Sequence, residues 1–228
     1  MKSDAERVAD RFLILLITVD VILIVLHILH TYTTLIPEWC SILFSITMDW
    51  AYGEMFQYIK ELWVVMLLLF LARGKSRFLY VSWSLLFLYL MVDDFLGIHE
   101  RLGIFIADHF DFHSRCGLRP QDFGELIVLT LFVTPCLAIV GAAHYLSGTA
   151  ARKISKHLFA MLALLVLFGV VVDMLPTVVK HGHPVLSPMV GVVEDGGEML
   201  VMSFICRFLF ALLAKDIYLT EKVHVNCP

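Results

Sequence analysis

Charge is what this sequence lacks. Only 17% of its 228 residues are Asp, Glu, Lys or Arg, where a soluble domain carries about 25%. Hydrophobic residues make up 60%, and mean hydropathy is +0.85. That scarcity excludes an ordinary soluble domain and implies an integral membrane protein, with the lipid bilayer as its first partner. The net charge is −4 and no basic stripe exists, which excludes nucleic acid as a partner. No small-residue cleavage site follows the first apolar stretch, so it reads as a retained helix and not as a signal peptide. Walker loops, GxSxG and HExxH are also missing. No Glu-x-x-His pair, the mark of di-metal bundles, falls inside the apolar segments.

What is present is a set of apolar runs. Six come near the roughly 20 residues that cross a hydrocarbon core: 11–31, 52–72, 78–100, 123–146, 156–177 and 197–215. The expected fold is all-α: one domain over residues 1–228, with six transmembrane helices. Arg73, Lys75 and Arg77 fill one short loop, Arg152, Lys153 and Lys156 another, and residues 32–51 hold no Lys or Arg. The positive-inside rule therefore predicts both termini in the cytoplasm of a cell inner (cytoplasmic) membrane. Of five cysteines, Cys136 and Cys206 read as packing residues inside helices. Cys40 and Cys116 fall in outer loops, where an oxidising compartment permits a bridge if their geometry allows it.

The ionisable residues sort by depth, and depth is informative because charge inside a bilayer is costly. A middle layer holds Asp20, Lys60, Glu61 and Arg207, which read first as charge pairs that hold the bundle and second as a relay. An outer layer is richer: His27, His30, Glu54, Asp93, Asp94, His99, Glu100, Asp173, Glu194, Asp195 and Glu198. His181 and His183 precede the last helix and read as solvent-exposed. Asp20 and His27, Glu54 and Glu61, and Asp93 and Glu100 are each seven apart, a spacing that shares one helix face.

Capping competes with function for these acids. Asp122 with Glu125, and Asp195 with Glu198, each resemble an N-cap acid followed by a Glu three residues on. Asp93 and Glu100 are expected near a helix C-terminus, where carboxylates oppose the dipole. That position makes them the better candidates for a site. Carboxylates with imidazoles in a dry pocket suit a divalent metal ion, the one cofactor implied. The metal ligands expected are Glu54, His99, Asp173 and His27, with Asp93, Glu100 and Glu198 as catalytic carboxylates.

LMVDDFLGIHERLG and VEDGGEML, carrying Asp93, Asp94, His99, Glu100, Glu194, Asp195 and Glu198, together resemble a pattern of uncharacterised bacterial multi-pass membrane proteins. The resemblance implies only that the two motifs belong together. Three readings stand. The first is a metal-dependent enzyme with an outward-facing pocket for a lipid-like or apolar substrate. The second is a proton or cation transporter or channel. The third is a non-catalytic subunit of a homo-oligomer or larger membrane complex.

Overall fold

The computed structural model describes residues 4–33, 42–48, 50–74, 76–115, 118–174 and 187–225, apart from the side chains of 42, 187–188 and 219–225. Cys40, Cys116, His181 and His183 lie outside the described residues. Among the described residues seven α-helices follow one another: α1 (Asp4–Tyr32), α2 (Tyr52–Leu71), α3 (Arg77–Leu96), α4 (Ile98–His109), α5 (Pro120–Leu146), α6 (Thr149–Val166) and α7 (Ser187–Val225). Five are long and apolar enough to cross a membrane: α1, α3, α5, α7, and α6 with its continuation to Val172. The remaining long helix, α2, spans twenty residues but carries Glu54, Lys60 and Glu61. Among the described residues there is no strand.

Helices α1, α2 and α7 form the centre, with α3 beside α2 and with α6 beside α7. The main apolar core lies toward the basic loops. There Leu68, Trp83, Leu86, Phe87, Leu158, Ile205 and Leu209 are fully buried. Trp83 Nε1 donates to Ser155 Oγ at 3.0 Å, which ties α3 to α6 without leaving a buried donor unmet. Large apolar side chains such as Leu15, Leu131 and Phe204 point outward, as a lipid-facing surface requires.

Several helix ends differ from the sequence expectation. The run 78–100 is not one helix. Gly97 takes a left-handed conformation, with φ of 56°, which glycine adopts without steric cost. The chain ends α3 there and starts α4 at once. Asp93 and Glu100 therefore do not share a continuous helical stripe. The last helix begins at Ser187, not near 197, so Asp195 and Glu198 sit two to three turns inside α7 and cap nothing. Helix α5 begins at Pro120, a residue suited to the first helical position, and Asp122 stands at its third position.

Helix α4 crosses α5 where Gly103 and Gly124 meet. A Cβ at 103 would lie 2.7 Å from the Glu125 backbone nitrogen, and one at 124 would overlap the Gly103 carbonyl. Only glycine at both positions permits this approach. Past Val166, α6 opens into wide π-type turns over Leu167–Val172, a distortion frequent at functional sites.

Candidate functional site

Two polar systems sit above the apolar core. The deeper one is closed and satisfied. Lys60 Nζ donates to Asp20 Oδ1 at 2.8 Å and to the Met199 carbonyl at 2.7 Å, with Ser203 Oγ 3.5 Å away. Ser203 Oγ donates to the other Asp20 oxygen at 2.5 Å. Lys60 and Asp20 are wholly buried. Arg207 pairs instead with Asp10 at 2.5 Å. The middle layer is thus mostly charge pairs, and Glu61 is its exception. Glu61 Oε2 and Gln57 Oε1 are buried and have no hydrogen-bond partner among the described residues. The two residues lie one turn apart on α2, at 6% and 7% exposure. Gln57 Oε1 can only accept, and Glu61 Oε2 does so while its carboxylate is ionised, so the two oxygens await a proton, a donor or a cation.

Above Glu61 stands a group of carboxylates. The charges of Asp94 and Glu54 act on Glu61, and those of Asp94, Asp195, Glu194 and Glu61 act on Glu198. Helices α2, α3 and α7 thus bring acids together from three directions. Glu198 lies against Gly169 in the wide turns of α6, where any Cβ would collide with its carboxylate. Asp173 and Glu194 are within hydrogen-bonding reach. Two carboxylates can bond only by sharing a proton or a cation.

A third group flanks this one at the α4 N-terminus. Asp93 accepts from the His99 backbone N–H at 3.1 Å and meets His99 Nδ1 at 2.9 Å. Asp93 therefore caps α4 and orients the imidazole. Glu100 lies in the first turn of α4 and is exposed, where its charge suits the helix dipole. The expectation that Asp93 and Glu100 are held against the dipole fails at this point, because Gly97 creates a new N-terminus beneath them. His99 lies beyond the end of α3 at Leu96. Burial alone would lower its pKa, but the hydrogen bond and charge of Asp93 outweigh burial and raise it.

Other expected ligands are occupied by the fold. His27 Nδ1 accepts the Ile46 N–H at 3.2 Å, so this ring holds the 42–48 segment onto α1. Glu54 accepts the Trp50 N–H, closing the first turn of α2. Asp122 accepts the Arg119 N–H at 2.7 Å and pairs with its guanidinium, so it does cap α5, but as the third-position partner of Arg119 and not as the N-cap acid read from sequence. Glu125 takes the Gln121 amide at 2.6 Å. Among the described residues, no three His, Cys, Asp or Glu side chains cluster tightly enough to form a ready metal site.

Of the expected site residues, the structure groups Glu198 and Glu54 in the acidic pocket and sets Asp93 with His99 at its edge. Asp173 joins through Glu194, and His27 stands apart. Sequence reasoning missed Gln57 and Gly169, and it placed Glu61 among the charge pairs. Gln57 had one signal, its spacing four residues before Glu61. Gly169 had none, since its role depends on a helix distant in sequence.

A family model described as "Domain of unknown function (DUF8692)" matches residues 12–212. No curated protein matches the chain, and no solved structure does.

Proposed function

The chain belongs to the DUF8692 family, a domain of unknown function, and from that premise we propose a cation-dependent membrane enzyme whose acidic pocket faces outward. In this reading α2 joins the five apolar helices as a sixth span, its charges turned inward. Arg73, Arg77, Arg152 and Lys153 mark the cytoplasmic side of a cell inner membrane, and both termini lie there. The short α4 rests at the outer surface.

The observation that carries the reading is the pair of orphaned acceptors, Glu61 Oε2 and Gln57 Oε1, at the foot of the group of carboxylates from α3 and α7. Buried acceptors without donors are costly. A bound divalent metal ion would satisfy them, and it would gather Asp94, Asp195 and Glu198 from their present spacing. Such an ion lowers the pKa of a bound water and so makes a nucleophile at neutral pH. His99, oriented through Nδ1 by Asp93, is the group to accept a proton. Helices α5 and α6 make little contact, which favours sideways entry of a lipid-like or apolar substrate from the bilayer.

A second reading, a cation-coupled transporter, is favoured by the position of Glu61 next to Lys60 on α2, level with the Asp20–Lys60 pair. The apolar packing below that pair opposes an open channel. Metal analysis of the detergent-purified protein separates the readings. The enzyme reading expects stoichiometric divalent metal in the wild type and about a tenfold or greater loss of affinity in Glu61→Gln and Glu198→Gln. Absence of metal after reconstitution with magnesium, manganese, zinc and calcium overturns it. Ion- or pH-driven flux in liposomes would then support the transporter.

A further inference from the structure

The acidic pocket is built on α2, α3 and α7, and one face of α5, which packs against α4 and α3, carries a separate feature. Phe123, Leu126, Ile127 and Leu131 recur at a helical spacing along that face. With the loop that follows α4 they enclose a groove of 1040 Å³. The described residues that flank the groove are held by backbone hydrogen bonds. Phe110 N–H donates to the Ile106 carbonyl at 3.0 Å, Phe112 N–H to Ala107 at 2.9 Å, and Leu118 N–H to Arg115 at 3.0 Å. The groove floor is open: Leu131 is 63% exposed and Ile127 44%.

The rim of this groove is polar and mixed in sign. Arg115 and His113 line it beside Asp111. Asp111 adopts a left-handed φ of 51°, which Asp tolerates better than most residues. A basic pair next to one acid, above an apolar trough, matches an amphiphile whose head carries both a phosphate and an amine. A purely anionic head would meet the Asp111 carboxylate with nothing to offer it. It would also approach the acidic end of the bundle, where Asp122 and Glu125 stand on the other side of the same helix.

We propose that this groove binds a zwitterionic phospholipid. Arg115 takes the phosphate by a charge-assisted hydrogen bond, His113 offers a ring N–H donor beside it, Asp111 takes the amine, and one acyl chain lies along residues 126–131. The proposal does not depend on the cation reading, because the two sites share no side chain.

The test uses the full chain in mild detergent with an equal mixture of phosphatidylethanolamine and phosphatidylglycerol of identical acyl chains, read by native mass spectrometry. The wild type retains phosphatidylethanolamine by about tenfold or more over phosphatidylglycerol. Arg115→Ala lowers that retention about tenfold, and Asp111→Asn brings the two lipids to within about twofold of each other. Both side chains are exposed, so neither substitution threatens folding, and the thermal midpoint checks this. Equal retention of both lipids by the wild type overturns the proposal, as does wild-type retention in Arg115→Ala.

Discussion

Removing Lys60 alone should destabilise the protein far more than removing Lys60 and Asp20 together. The ammonium group donates to Asp20 at 2.8 Å and to Met199 at 2.7 Å, with Ser203 near. Both charged side chains are wholly buried. In Lys60→Met the Asp20 carboxylate keeps only the Ser203 hydroxyl as donor. An uncompensated buried charge of this kind costs about 3–5 kcal/mol. At about 2–4 °C per kcal/mol for a chain of this size, the thermal midpoint should fall by about 6–20 °C. The double variant Asp20→Leu/Lys60→Met leaves no charge behind, only a hydroxyl whose loss of partner costs about 1–3 kcal/mol. It should therefore melt above the Lys60→Met variant. Cys206 supplies the assay: it is fully buried beside the Lys60 carbonyl, so a thiol-reactive dye reports unfolding in a background that keeps only this cysteine. A Lys60→Met midpoint within about 1 kcal/mol of wild type, or a double variant less stable than either single one, refutes the reasoning.

The glycine crossing and the His99 pair give two further expectations. Gly124→Ala should cost about 1–3 kcal/mol by overpacking against Gly103, whereas Gly141→Ala on the same helix, with nothing within 4 Å of its Cβ, should be neutral or stabilising. Equal melting temperatures for the two would refute the crossing. His99 has a pKa raised above its ordinary 6.5, so its pairing with Asp93 contributes fully below that pH and is lost as pH rises through the higher folded value. The midpoint difference between wild type and His99→Gln should therefore be largest in acid and shrink toward alkaline pH. A difference that grows with pH would contradict the assigned sign.

Much of the fold was legible in the sequence. Scarce charge and long apolar runs specify membrane helices, because a bilayer demands internal hydrogen bonding and tolerates few charges. The gathering of acids toward one end could be read too, since alternating helix direction converts position in sequence into depth. Helix ends could not. Leu102, Ile104, Phe105 and Ile106 carry the apolar pattern on past the charged residues 93–101, so composition does not mark the break that the left-handed Gly97 makes. The stretch Ser187–Gly196 looks like a loop but is helical, held against α1 and the wide turns of α6.

Those two boundaries reverse the roles assigned to the acids. Asp93 and Glu100 looked misplaced at a helix C-terminus, yet Gly97 makes them the cap and first turn of α4. Asp195 and Glu198 looked like caps, yet an earlier start leaves them inside α7, facing Asp94 and Gly169. Sequence by itself determined the all-α class, the presence of several membrane-length apolar helices and the end of the bundle that carries the acids, because these follow from local composition and length. Only tertiary structure decided which carboxylates are spent on backbone amides and which are left to the pocket, because a helix terminus depends on what packs against it.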